Sequence, residues 1–561
     1  MHIAMTPIED AFVFRAAMAN NRLIVGALGF SAFLALQMEK NPLRLAGMFA
    51  GAAVFFAGLV AARYAGTSPA ASLLAVVIAI IASAIVAAWP GDAKKPERII
   101  YACVVMVGCL ALTNFLAFQN WGYTGTNRAP PATRFTAINY NDMFHYFLGT
   151  KYASELSYTR LYVCFAAVGK DLGYLDAGQQ ARDLQTNKMV TVGSLLRHRA
   201  ECRAHFTSKQ WQSFKADAAT FLRAAVGRPG VRYLTDFGYN ATPFWEILNR
   251  PFVAWTKATP ANLGALAMID GVLFLVCTAF LVWAFGSQAA ALVLLTWGVG
   301  VMWVMNHVGI PCSFGRFWWF TALTAAVCLA ERHFYRSAGV ALAASTALCA
   351  FPGVFLFWPA LVAARQLLRR QALSAEIRQL LAGALGGGLV FGLLSMIGVA
   401  NPIHQYIAFV RNSTRIMAGF IVNNLGLQPL LHTAPDSVIW VLPATGLFWL
   451  VYATCRKLPL VPALLLFGLF SAFILLPMAN YYYVALALLA PFMLSRSGSS
   501  AGADLPVYAV FVFLGNIVFI TDPFHEMFIY RASSFLLAAF LCYFAVRWYR
   551  MNSPVPAPST P

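Results

Sequence analysis

The feature that most constrains this chain is a succession of apolar runs, each long or nearly long enough to cross a bilayer as a helix. They fall at residues 22–38, 44–62, 70–89 and 99–119. After a polar interval from 120 to 262 they resume at 263–285, 288–306, 316–331, 338–350, 353–367, 378–399, 436–454, 458–476, 481–495, 506–521 and 532–549. A helix needs about 20 apolar residues to span the hydrocarbon, and only helices or closed barrels satisfy their backbone groups there. The runs therefore predict an all-α polytopic membrane protein of about 13–15 transmembrane helices. Composition agrees: the chain is 60% hydrophobic and only 11% charged, with a mean hydropathy of +0.66, which excludes a soluble globule with a polar surface.

Charge sets the expected orientation. One set of short loops carries Lys40 and Arg44; Lys94, Lys95 and Arg98; Arg332 and Arg336; Arg365, Arg369, Arg370 and Arg378; Arg456 and Lys457; Arg496; Arg547 and Arg550. The opposite set carries only Arg63, Arg316, Arg411, Arg415 and Arg531. The basic set is read as cytoplasmic, which puts residues 120–262 outside. The net charge of +19 is read as topology and attraction to anionic lipid, since no nucleic-acid module accompanies it. Acids near the N-terminus and the lack of a cleavage site argue against a removable signal peptide.

The runs 338–350 and 353–367 keep this alternation only as a helical hairpin entering from the cytoplasm, broken at Phe351-Pro352-Gly353. A single kinked helix is the alternative. Such a break is tolerated where its backbone groups are buried in protein or line a cavity. The run Gly386-Gly387-Gly388 is read as close helix packing.

The polar interval opens on NYNDMFHYFLGTKYASELSYTRLY, residues 139–162. With Asn139 or Asn141 as N-cap, helical spacing gives Asp142, His145, Tyr146 and Gly149 one face. Asp142 in a first helical turn is favoured as a carboxylate. It is either part of the helix cap or a base. Farther on, 172–226 has amphipathic helical spacing, with Leu195, Leu196, Phe206, Trp211, Phe214 and Phe221 available for a small core. The chain re-enters the membrane through VRYLTDFGYNATPFWEILNRPF, which offers Asp236, Tyr239, Asn240, Trp245 and Glu246. Cys164 and Cys202 lie in this interval, either disulfide-bonded or as two thiols.

No nucleotide loop, zinc signature or Ser/His/Asp pattern is present, so an outward-facing active site would draw its activated substrate from the membrane. The other outer loops hold His307 and Arg316; His404, Arg411 and Arg415; and Asn423, Asn424 and His432. Arg411 and Arg415 are four residues apart, a spacing that lets two guanidinium groups clamp one anion.

In order and hydropathy, YNDMFHYFLGTKYASELSYTRLY, GYNATPFWEIL, FWWFTALTAAVCLAERHFYRSAGVALAASTALCAFPGVFLFWPALVAARQLLRR, VNNLGLQPLL and PMANYYYVALALLAPFM resemble the GT-C superfamily of integral-membrane glycosyltransferases. The resemblance spans roughly residues 99–500 and is closest to the polyprenyl-phosphate-mannose-dependent mannosyltransferases of bacteria. It implies a GT-C-like bundle with a large extracytoplasmic loop, a bacterial cytoplasmic (inner) membrane location and a polyprenyl-phosphate sugar donor. The acceptor would be a glycan, lipid or protein, and neither cofactor nor metal is expected.

Asp142 matches the catalytic acid of the first outer loop, with Asp236 in reserve. Arg411, Arg415, Arg316, His404 and Lys151 are the candidates for the donor phosphate, and His145, Tyr146, Tyr239, Asn240 and Asn424 for substrate. The expected division is 1–98 as extra N-terminal helices, 99–119 as the first core helix, 120–262 as the outer loop, 263–549 as the bundle and 550–561 as a cytoplasmic tail. The extra helices, the long outer loop and Ala-Phe-Pro-Gly where relatives often carry Lys before Pro are departures. A transporter or flippase, and a ligase or polymerase using a lipid-diphosphate donor, are the rival readings.

Overall fold

The computed structural model describes residues 140–224, 232–299, 314–397, 402–419, 424–431, 437–476, 478–494, 507–508, 510–511, 514 and 526–551. The N-terminal runs, Asn139, His307, Asn423 and His432 lie outside the described residues. What is described is mostly helical with two small antiparallel ladders. It contains four helices long and apolar enough to cross a membrane.

The outer segment begins with a continuous helical stretch, α1, built from Tyr140–Met143, a π-turn over Phe144–Leu148, and Gly149–Lys151. Helix α2 follows at Leu161–Asp171. The expected helix then gives way to a hairpin, with β1 at Gln180–Asp183 and β2 at Lys188–Thr191. Its turn explains the departure from helical spacing. The Asp183 carboxylate accepts from the Gln185 amide and the Thr186 hydroxyl, and Asn187 takes positive φ, a local closure that competes with helix. Helix α3, Ser208–Ala224, supplies Trp211, Phe214 and Phe221 to a core that also buries Leu195 and Phe206, while Leu196 packs at its edge. A disulfide joins Cys164 on α2 to Cys202 on the short helix Arg199–Ala204, with Cα atoms 5.6 Å apart.

Helix α4, Pro243–Val253, starts on a Thr242 cap with Pro at its first position, where the missing N–H costs nothing. The next helical stretch, α5, runs Pro260–Val299 but contains Gly286 at φ 81°, ψ 174°. Phe274 and Trp297 are 4.7 Å apart, ring to ring, so the two halves fold back on each other as a hairpin. The Arg332 guanidinium bonds the Trp283 carbonyl at this turn.

Helices α6 (Trp318–Glu331), α7 (Tyr335–Leu348), α8 (Phe357–Leu368) and α9 (Ala375–Ile397) build the middle of the bundle. Gly339 on α7 sits against the Leu380 carbonyl and Ala384 nitrogen of α9, Gly383 against the Arg336 carbonyl, and Gly387 against Val340 and Ala343. These pairings rise together along both helices, so α7 and α9 run parallel. That requires α8 to bring the chain back, which makes 335–368 a helical hairpin and not a single kinked helix. At the reversal Cys349 is extended and Phe351–Leu356 forms a 3-10 turn. The glycine run divides: Gly387 and Gly383 permit close approach, whereas Gly386 and Gly388 face open space.

Helix α10 occupies Pro402–Gly419. A short ladder pairs β3, Asn424–Leu425, with β4, Met478–Ala479. Helices α11 (Ser437–Cys455), α12 (Leu460–Leu475) and α13 (Glu526–Met551) pack beside it. The Lys457 ammonium lies 3.5 Å over the Tyr549 ring, which gathers basic residues of the expected cytoplasmic set at one end. From there α12 leads away to Leu475, β4 follows, and Tyr482 beyond it packs on Phe351 at 4.9 Å. The hairpin break is thus at the opposite end, the end on which the outer segment rests.

Candidate functional site

The outer segment meets the bundle at the hairpin break. Thr242 works in two directions: its hydroxyl oxygen accepts from the Trp245 amide, capping α4, and donates to the Ala347 carbonyl at 2.6 Å. A carbonyl released by the break is therefore satisfied by protein.

Arg316 is held over this point by its own approach. Phe314 and Gly315 both have positive φ. A Cβ on Gly315 would stand 2.7 Å from Asn249 Oδ1 and from Trp318 Nε1, so only glycine fits. The Gly315 carbonyl accepts from the Trp245 indole at 3.1 Å, and Trp318 donates to Asn249 at 3.1 Å. Two indoles and an amide thus fix the backbone from which Arg316 projects.

Arg316 reaches Asp142, Nε to Oδ2 at 4.0 Å, with both side chains partly exposed at 14% and 17%. Its guanidinium also covers the Tyr146 ring at 4.5 Å. Tyr146 donates to Asn240 at 2.6 Å and packs edge-on against Trp245 and Tyr239. Tyr239 stacks on Tyr158, and a Cβ on Gly149 would overlap its ring. Asp142, Tyr146, Tyr239 and Asn240 are thereby brought together with Arg316.

His145 is not on that face. The π-turn shifts the register, and His145 Nε2 instead meets the Tyr162 hydroxyl at 2.8 Å, where both are buried. The shared helical face expected of Asp142, His145, Tyr146 and Gly149 is corrected by this one inserted residue. Asp236 accepts the Phe237 amide and acts electrostatically on Tyr162, which places it with the His145 side of α1.

The phosphate candidates separate. Lys151 is committed to Asp217 at 2.7 Å and to the Thr256 carbonyl, inside the outer subdomain. Arg415 donates to the Leu184 carbonyl at 2.8 Å, at the β1–β2 turn, and its own carbonyl accepts from Asn187. Arg411 and His404 are exposed on α10. Of the expected Arg411–Arg415 clamp, Arg415 reaches the hairpin turn and Arg411 is on the exposed side. Asn424 is buried in the β3–β4 ladder.

Glu246 carries a role that sequence spacing did not assign. It is 2% exposed and accepts from Gln405 of α10 at 2.7 Å. Burial pushes its pKa up to about 7, with Arg250 and the Gln405 bond opposing. The signal available was Thr242-Pro243, which starts a helix and so turns the residue one turn later toward the cap and the bundle. Among the described residues no group of His, Cys, Asp and Glu is arranged to hold a metal.

The fold and the site define a multi-pass helical membrane protein with a disulfide-bonded subdomain seated at one end of its bundle. No protein-family model matches the chain, and no curated protein or solved structure matches it.

Proposed function

We propose that this protein is an extracytoplasmic-facing membrane glycosyltransferase that moves a sugar from a polyprenyl-phosphate donor to a hydroxyl acceptor. The observation that carries the reading is the convergence of Asp142 and Arg316, far apart in sequence, at the end of the bundle that carries the broken helical hairpin. In a single inverting displacement Asp142 takes the proton of the acceptor hydroxyl. The oxygen attacks the anomeric carbon, and the carbon–oxygen bond to the lipid phosphate breaks with its electron pair leaving on the phosphate. Arg316 faces the Asp142 carboxylate and supplies positive charge as the phosphate departs. Asn240, partly exposed, is available to the sugar, with the buried Tyr146 and Tyr239 packed behind it. Arg316 is taken as the donor cation because it lies beside Asp142, whereas Lys151 and Arg415 bond groups elsewhere in the outer segment.

The test is sugar transfer by purified protein in nanodiscs from a defined polyprenyl-phosphate hexose. Asp142→Asn is expected to lower the rate by about a hundredfold or more, and Arg316→Gln to lower it less. Full activity in Asp142→Asn would remove the base, and transfer only from diphosphate donors would favour the ligase reading.

A further inference from the structure

Helix α10 has two unlike faces. Its inner face is bonded throughout: Gln405 to Glu246, Phe409 against Tyr158 at 6.0 Å, Asn412 to the Tyr239 carbonyl at 3.2 Å and Arg415 to the Leu184 carbonyl. Its outer face presents Ile403, Ile407 and Val410 at 69%, 44% and 57% exposure. The spacing of i, i+4, i+7 makes these one stripe. His404 and Arg411 lie exposed on the same helix, and residues 402–419 contain no acid.

What covers that stripe follows from where α10 begins. It comes directly after α9, a candidate span of 23 residues, or about 35 Å of helix. Leu385, Leu389, Val390, Leu393, Leu394 and Ile397 of α9 are exposed, so α9 too presents an apolar side. Phe244 of α4 packs on Phe391 of α9 at 4.9 Å, so α10 starts at the end of the bundle that carries the outer subdomain. The outer segment covers one face of α10 and leaves the other exposed. Trp255, 93% exposed, stands at the matching position ahead of α5, where an indole suits a bilayer interface.

We infer that α10 lies in the membrane surface, with Ile403, Ile407 and Val410 inserted among acyl chains and Arg411 facing anionic lipid headgroups. The helix clamps the outer subdomain to the bilayer, and Arg411 serves bulk lipid instead of the donor phosphate. A helix with this division of faces binds through its buried apolar area and through attraction to anionic headgroups. The inference is independent of sugar transfer.

The test uses the full chain carrying a photoreactive benzophenone amino acid at position 407 or, separately, 410, in phosphatidylcholine nanodiscs with and without phosphatidylglycerol. Position 188, exposed on β2, is the control. After irradiation, mass spectrometry is expected to find at least about tenfold more lipid adduct at 407 and 410 than at 188. Arg411→Ala is expected to lower the phosphatidylglycerol share severalfold while total adduct holds. Adducts at 407 and 410 no greater than at 188, or cross-links to a second copy of the chain, would overturn the inference. An unchanged phosphatidylglycerol share would overturn the assignment of Arg411.

Discussion

The protein holds two carboxylate–cation pairs that differ in kind. Lys151 and Asp217 meet at 2.7 Å with 9% and 4% of their side chains exposed. Asp217 also accepts from the Tyr152 hydroxyl and the Ala258 amide. These bonds tie α3 to the end of α1 and to the chain entering α5. Asp142 and Arg316 are 4.0 Å apart and more exposed, with the guanidinium resting on an aromatic ring. The first pair is a finished structural joint. The second is longer and more open to solvent, as the proposed roles of a proton acceptor and a phosphate ligand require.

That contrast is broken most directly by removing one partner from each pair. Taking the cation from a buried pair strands a charge and typically costs about 3–5 kcal/mol, so Lys151→Met should lower the melting temperature in detergent and open the outer subdomain to protease. Asp142→Asn removes a longer, partly solvated pair and should cost about 1 kcal/mol or less. Equal losses of stability would show that Asp142 and Arg316 are a joint too.

Glu246 sharpens the comparison through pH. Its folded pKa of about 7 lies above the unfolded value near 4.3, so the folded state binds the proton more tightly. The contribution is fully present below about pH 4.3, is lost as pH rises through about 7, and becomes a constant cost above that. Glu246→Gln should therefore stabilise the protein at pH 8, by up to about 3 kcal/mol, and flatten the stability profile between pH 4.3 and 7. A variant that is less stable at pH 8 would mean the charged form is held by Arg250 and Gln405 after all.

Legibility in the sequence followed the range of the forces involved. The break at Gly286 and the hairpin at Phe351-Pro352-Gly353 were readable because Gly and Pro act on the backbone where they stand. Asp142 was readable as an acid beginning a helix. The partner of Asp142 was not. Arg411 and Arg415 have the right spacing for one helix face, but which face is covered depends on the β1–β2 turn and the outer subdomain, and those contacts take up Arg415. Arg316 was only a later choice, because two consecutive positive-φ residues and two indoles place it, and none of these carries a local signature for chemistry. The π-turn that sends His145 to Tyr162 is one residue of slippage, below what periodicity resolves. The hairpin at 180–191 is hidden in the sequence because the amphipathic spacing of 172–226 is carried by residues beyond it, Leu195 to Phe221.

The smallest expected effect tests whether the aromatic wall beside Asp142 is as rigid as the contacts imply. A methyl group on Gly149 would overlap the Tyr239 ring. That ring cannot easily withdraw, because it stacks on Tyr158 and its hydroxyl meets Thr150 at 3.2 Å. Gly149→Ala should therefore cost about 1–3 kcal/mol by overpacking, despite the better helix propensity of alanine. Gly386→Ala, on the open side of α9, should be neutral or stabilising by up to about 1 kcal/mol. Differential scanning of the two variants separates the cases. If Gly149→Ala loses stability and transfer falls further than stability alone accounts for, Tyr239 positions Tyr146 and Asn240 for the substrate. If stability falls and transfer in the surviving fold does not, the wall supports the subdomain and the substrate lies elsewhere along the Asp142–Arg316 mouth.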